Sequence, residues 1–497
     1  MRSLWLDRPP RPTAGPTAVD TVEGDYDVVV VGAGLTGLVT ALLFARAGCA
    51  VAVVEGRHVG AGATGNTTAK ISLLQGTRLS QIARRHSGEV LRQYVQANLE
   101  GQAWLLRYCE EHDVAVQTQP AFTYATTSRG RKAAQSELSA CVEAGLDPRW
   151  DDDLQLPFAT HGAVRLDDQA QFDPMDLLET LAEDVRFHGG VIFEQTRVRS
   201  VSRGRESVVH TGAGDLRARQ VVLATGLPIL DRGGFFARMQ PQRSYALAFR
   251  TPTRAVHGMY LSADAPTRSL RNSPSDDGDL LLVGGNGHGT GRTSSPRARV
   301  DDLRSWTESH FPDAVHTHSW SAQDFSTVSG LPYVGPLVPG DERILVACGY
   351  AKWGMTNAVA AALALSSEVL GTRTGWSEAM RSWSAREIRG AGDAAYFNGE
   401  VAIELARGWA GPVRHLGSEP TPAEGEGAVY YDGVRPTAIS RVDGATRRVS
   451  AICPHLGGIL RWNDAERSWD CPLHGSRFDA GGAVLEGPAT CGLSPRD

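Results

Sequence analysis

Cysteine is scarce and unpaired in its pattern: seven residues, at 49, 109, 141, 348, 453, 471 and 491, are scattered over 497 positions. An odd, dispersed set excludes the disulfide framework that staples small secreted domains. No apolar run approaches the roughly 20 residues that cross a bilayer as a helix. The opening MRSLWLDRPPRPTAGPTAVDTVEGD has Arg and Pro but lacks the apolar core of a secretory signal. Positive charge is not in excess either. A net charge of −6 argues against nucleic acid or an anionic membrane as partner. The expectation is a cytoplasmic enzyme, long enough for two or three domains.

What is present begins with DYDVVVVGAGLTGLVTALLFARAGCAVAVVEGR, from Asp25. The Val run predicts a parallel strand buried on both faces, and the Ala/Leu-rich segment from Leu38 to Ala47 predicts a helix. A second strand runs from Ala50 to Val54. Between first strand and helix, Gly32, Gly34 and Gly37 fall in GxGxxG spacing. They permit a tight turn, a close approach to pyrophosphate and helix-on-strand packing, respectively. The helix start, including Leu35 and Thr36, offers free N–H groups and a positive dipole end to phosphate. Glu55, 18 residues past Gly37, is placed to accept from a ribose, with Gly56 and Arg57 following. These elements leave FAD or NAD open.

Later segments favour FAD. GAGATGNTTAK (60–70) offers backbone and the Thr64, Thr67 and Thr68 hydroxyls to a pyrophosphate and flavin. QVVLATG (220–226) predicts a strand ending in a small-residue turn, and LVACGYAKWGMTN (345–357) a strand, a Gly turn and a helix that continues to Leu370. These residues resemble the D-amino-acid oxidase (DAO) superfamily, which includes glycine and sarcosine oxidases, over roughly 25–370. The resemblance implies that the opening motif and Glu55 hold ADP, and that Thr64 replaces the usual Ser. It places Val198 beside the adenine, Ala224, Thr225 and Gly226 in the turn next to it, and Gly349, Trp353, Gly354 and Met355 in a flavin-contacting turn. WSAQDFSTVSGLPYVG (320–335) departs from the family pattern, with Asp324-Phe325 for Arg-Pro and Ser329 for an acid. An NADH-using reductase would add a second GxGxxG. LLVGGNGHGTGRTSSP (281–296) does not qualify, because Pro296 and the Ser/Thr run predict a loop after its glycines.

Between these segments, Glu89–His112 and Pro174–His188 have the period of amphipathic helices, and SYALAFR and DLLLVGG suggest antiparallel strands of a substrate domain. Lys352, inside the flavin turn, is the catalytic candidate, a cation able to stabilise reduced anionic flavin; a solvated loop Lys is the alternative. Arg243, Tyr245 and His288 are candidates to line the substrate space. His316 and His318 read as surface residues.

From Ser418 the chain becomes SEPTPAEGEG, a joint preceded by a short helix over 398–406 and followed by short β runs. Then come CPHLGG and CPLHGSRFD. Cys453-x-His455 and Cys471-x-x-His474, with 15 residues between the pairs, each supply one thiolate and one imidazole. Two mixed loops suit a cluster with two Cys on one iron and two His on the other. Zinc is the rival, but zinc fingers group Cys with Cys and His with His. The segment resembles the Rieske family over about 420–488, which implies a [2Fe–2S] cluster. Gly458 and Leu473 stand where high-potential Rieske proteins carry a disulfide, which implies the ferredoxin-type branch and a lower potential.

The expected architecture is therefore an α/β, Rossmann-like DAO-type FAD-binding fold with an antiparallel-sheet substrate domain, plus an all-β Rieske domain. The boundaries are a leader at 1–24, the FAD and substrate portion at 25–385, a linker at 386–418 and the Rieske portion at 419–497. This order resembles gamma-glutamylputrescine oxidoreductase-like Rieske flavoproteins. It implies oxidation of an amine or amino-acid-like small molecule at FAD, with electrons leaving through the cluster to an external acceptor. An oxidase using oxygen directly and a redox sensor are the alternatives. A Rieske oxygenase would need a further iron domain, and only 23 residues follow His474.

Overall fold

The computed structural model describes residues 1–8, 21–275, 278–410, 419–432 and 435–496. Residues 9–20 of the expected leader and 411–418 of the expected linker lie outside the described residues. The strand Gly24–Val31 is bracketed by parallel neighbours, Val51–Val54 and Asp215–Gly226. Its Val28–Val31 stretch is buried on both faces, which is why the sequence shows no polar alternation there. The eight-stranded sheet runs from Tyr333–Val338 through Asp341–Cys348, Asp215–Gly226, Gly24–Val31 and Val51–Val54 to Val191–Phe193, with a further pair branching off Asp215–Gly226. Helix Leu35–Arg46 packs against helix Gly354–Val369, and that helix against Gly88–Glu111.

A nine-stranded sheet forms the second layer, antiparallel at every pairing except Met259–Ser262 beside Val116–Tyr124. One element here was not expected. Gly284, Gly285, Gly287 and Gly289 lie inside a strand, Leu280–Gly289, and the expected loop follows, but a helix, Pro296–His310, begins at its end. Pro296 occupies the first helical turn, where its missing N–H costs nothing, and Ser295 caps the helix by accepting from Ala298 N. The strand pairs antiparallel on both sides, so this is not a βαβ nucleotide unit.

Three further places differ. The N-terminal stretch docks on the body: Trp5 is buried, and its Nε1 donates to Thr67 O at 2.7 Å. The helix expected over 398–406 spans Ala391–Trp409 and fills most of the expected linker. His316 and His318 are half-buried, His316 edge-on to Phe249 and His318 3.4 Å from Asp7. Their alternation with Thr reflects a partly covered strand face.

The C-terminal portion is two small antiparallel sheets around Trp469, Phe478, Cys453 and Cys471. It seats on the second layer through charge. Arg243, expected in the substrate space, is 1% exposed and paired with Glu466 by two hydrogen bonds at 2.6 and 2.8 Å. Arg477 joins Glu466 at 3.1 Å, Asp470 at 2.9 Å and Glu486 at 3.2 Å. Burial and Arg477 disfavour charge on Arg243, but Glu466 and Glu486 outweigh them and raise it. Burial likewise opposes the Glu466 carboxylate, yet Arg243 and Arg477 hold its pKa far below the usual range.

Removing one partner strands a buried charge. Glu466→Gln is expected to lower stability by about 3 kcal/mol at neutral pH, measured by urea unfolding. Because the folded carboxyl is depressed, the loss should shrink as pH falls below the ordinary value near ~4.3. An unchanged midpoint at pH ~7 would contradict the clamp.

Candidate cofactor sites

A cavity of about 670 Å³ opens between the two layers, within the ordinary size of a cofactor site. Its floor is the first βα turn. Gly32 has φ +107°, and a Cβ there would run into the Ala224 carbonyl. Gly34 begins the helix Leu35–Arg46 without a side-chain cap, so the helix N–H groups face the cavity, and Leu35 N reaches Thr64 Oγ1 at 3.2 Å. Both oxygens of Glu55 accept from backbone, Oε2 from Ala33 N at 3.0 Å and Oε1 from Arg57 N at 2.8 Å.

Glu55, Gly56, Arg57, Thr64, Thr67, Thr68, Val198, Ala224, Thr225 and Gly226 all line this cavity, as do Gly32, Gly34, Leu35 and Thr36. Lys352, Trp353, Gly354 and Met355 line it from the start of helix Gly354–Val369, which also lacks a side-chain cap. Gly37 and Gly349 do not face it. Gly37 backs onto the Gly32 carbonyl, and Gly349, at φ +81°, onto Thr327; both shape the wall from behind. The glycine cradle and two open helix starts fit a dinucleotide such as FAD.

Lys70, Tyr350 and Asp324 are among the polar cavity residues to which the motifs assign no role. Lys70 closes the GNTTAK stretch, with Nζ donating to Tyr260 O at 2.8 Å and Ser269 Oγ at 2.7 Å. Burial and the Arg271 charge bring its pKa down to about 7. Tyr350 OH meets Thr36 Oγ1 at 3.0 Å. Asp324 had been visible only as a departure from the family pattern. Burial lifts its carboxyl to about 6, against the Phe325 N–H and the Lys352 charge.

Lys352 and Ala351 stand at φ +75° and +50°, left-handed backbone that non-glycine residues adopt at a cost. The Asp324 carboxylate accepts from Lys352 N and Phe325 O from Ala351 N, fixing the turn. Lys352 is exposed, and its side chain lines the cavity. Desolvation by the surrounding protein lowers its pKa, partly offset by Asp324. Tyr245 lines the cavity; His288 does not, and instead meets Tyr245 OH at 3.0 Å.

The C-terminal loops repeat one design. Cys453 N donates to Gly458 O and Cys471 N to Ser476 O, both at 2.8 Å. Gly457 and Gly475, at φ +71° and +79°, turn each loop so that N–H groups point at sulfur. The Cys453 sulfur meets the Cys471 thiol and receives N–H groups of His455 and Leu456, while that of Cys471 receives those of Leu473 and His474. The His455 and His474 rings lie 5.0 Å apart, and the buried His474 Nδ1 has no hydrogen-bond partner. Paired thiols on one side and paired imidazoles on the other fit a binuclear cluster, which would satisfy that nitrogen. Gly458 and Leu473 touch, a Cβ on Gly458 falling 2.7 Å from Leu473 Cγ.

The raised Asp324 pKa has a consequence for stability. The folded protein binds this proton more tightly than the unfolded chain, so the contribution is complete below about pH 3.9 and is lost as pH rises through about 6. Asp324→Asn is expected to gain roughly 2 kcal/mol on the parent between about pH 4 and 7, read from urea midpoints. A pH-independent difference would contradict it.

Residues 27–367 match the family described as FAD dependent oxidoreductase (DAO), and residues 419–494 the Rieske [2Fe-2S] domain. Over 469 residues, covering 94% of this chain and 92% of the other, the sequence is 31% identical to the Rieske 2Fe-2S iron-sulfur protein YhfW of Bacillus subtilis (strain 168). Over 46 residues, 9% of this chain and 26% of the other, it is 48% identical to cytochrome b6-f complex iron-sulfur subunit 1 of Nostoc sp.. In fold it is similar to glycine oxidase from Geobacillus kaustophilus, with a TM-score of 0.61 and 21% identity over 71% of this chain and 96% of that chain. L-amino acid deaminase from Proteus myxofaciens gives 0.58 and 16% over 73% and 94%. The chain belongs to the DAO family of FAD-dependent oxidoreductases and carries a C-terminal Rieske [2Fe–2S] domain.

Proposed function

We propose that this oxidoreductase oxidises the C–N bond of an amine or amino-acid-like small molecule and passes the electrons through its cluster to an external acceptor. One observation carries the reading. Gln323 lines the cavity, and its Nε2 donates at 2.9 Å to the carbonyl of Gly475, the residue next to His474. Its Oε1 accepts from Thr290 Oγ1 at 2.8 Å, which fixes the amide. One side chain therefore spans from the cofactor cavity to the cluster loop. Leu485, Glu486 and Gly487 of the Rieske portion also line the cavity.

When bound, FAD accepts a hydride from carbon and the cluster carries single electrons. The chain supplies the surroundings. Helix starts at Gly34 and Trp353 present N–H groups, and Lys352 brings a positive charge to the flavin turn, with Asp324 as its counter-ion. Lys70, near neutrality in its pKa, can hold or release a proton at Nζ within the same cavity.

The test is an anaerobic screen of amines and amino acids, followed by absorbance and EPR. The expected result is flavin bleaching and then a reduced-cluster signal, with bleaching slowed roughly 100-fold in Lys352→Met. Stoichiometric peroxide formation that survives Cys471→Ser would overturn the reading in favour of a direct oxidase. Silence toward every amine would overturn it in favour of a sensor.

A further inference from the structure

The two imidazoles of the cluster loops face different surroundings. His474 is buried, 3% exposed, and lies next to the Gly475–Gln323 contact that leads to the cavity. The His455 side chain is also buried, 6% exposed, but its loop reaches the surface. His455 is flanked by the exposed Pro454 and by Leu456, 43% exposed, and its Nε2 meets Asp231 Oδ1 at 2.6 Å. Asp231 is not part of the Rieske portion. It belongs to the segment that leaves the strand Asp215–Gly226, and Ile229 in that segment lines the cofactor cavity.

The segment is built to reach the cluster loops. Gly233 and Gly234, at φ +80° and +61°, turn it back, and a Cβ on Gly233 would run into the Leu337 carbonyl. After the turn, Phe236 sets its ring edge-on to both imidazoles, at 5.7 Å from His455 and 5.3 Å from His474. Phe236 thus wedges the pair from the FAD-binding side, and Asp231 takes the outer nitrogen of one of them. Its carboxylate is 54% exposed, and His455 is the hydrogen-bond partner found for it among the described residues.

We propose that Asp231 is a positioning residue for the cluster, and that the His455–Asp231 edge is where electrons leave to a one-electron acceptor. A carboxylate that accepts from a ligating imidazole fixes the ring and increases its electron donation to the metal. Its negative charge favours the oxidised cluster and lowers the potential. The cluster thus has one side toward the cavity, through His474 and Gln323, and one toward the surface, through His455 and the exposed Asp231. The direction of flow rests on the proposed function; the location of the exposed edge and the tuning by Asp231 do not.

The experiment uses the full-length holoprotein, with the cluster reduced by dithionite so that no amine substrate is needed. EPR-monitored redox titration compares the parent with Asp231→Asn, Asp231→Glu and the distant surface control Asp153→Asn. The midpoint should move upward and the g-values shift in Asp231→Asn, and both should return toward the parent in Asp231→Glu. An Asp231→Asn midpoint and spectrum identical to the parent would overturn the positioning role. Stopped flow then follows cluster reoxidation by anionic ferricyanide and by cationic hexaamminecobalt(III). If electrons leave at this edge, Asp231→Lys should speed ferricyanide and slow hexaamminecobalt several-fold in opposite directions. Equal changes for both oxidants, or none, would overturn the exit assignment. Failure of amines to bleach the flavin would count against the proposed function alone.

Discussion

Arg243 is a charged side chain removed from water and answered from another part of the chain. Glu466 and Glu486, more than two hundred residues away in sequence, compensate it, and Arg477 and Asp470 complete the set. Such an arrangement is stable only when every member is present, because any one left alone is a bare charge in a low-dielectric interior. That demand fixes the position of the Rieske portion. Once it is seated, Glu486 forms part of the cavity wall, Gly475 meets Gln323, and Asp231 meets His455. Arg292, Ser295 and Arg297 add contacts to Pro472 and Asp464, so the buried ionic group is the centre of a wider seat.

Both cofactor sites were legible because each rests on local chemistry. The Gly32 turn needs a residue with no Cβ beneath the Ala224 carbonyl, and glycine in that spacing between a Val strand and an Ala/Leu helix signals it. Cys-x-His and Cys-x-x-His loops with glycine turns announce two-cysteine, two-histidine ligation for the same reason. Glu55, picked out by its distance along the βα unit, lines the cavity.

The rest depended on contacts between distant residues. Arg243 reads as a substrate residue because its strand also carries Gln242, Ser244 and Tyr245, which line the cavity; alternation turns Arg243 to the other face from Gln242 and Ser244, and a register shift between Arg243 and Tyr245 brings Tyr245 back to the cavity. Asp324 appeared only as a missing Arg, and its burial beside Lys352 required the fold. Pro296 suggested a loop because proline ends helices more visibly than it begins them. Nothing in the order of residues indicates that Asp231 reaches a histidine 224 positions later.

The central claim is that electrons entering at the cavity reach the cluster within one molecule, across Gln323 and Gly475. The most direct measurement is anaerobic single-turnover stopped flow with a substrate that bleaches the flavin, repeated over a hundredfold range of protein concentration. The account predicts cluster reduction with a first-order rate constant that does not vary with protein concentration, and that falls in Gln323→Leu. A rate that rises in proportion to protein concentration, or that needs an added mediator, would contradict it.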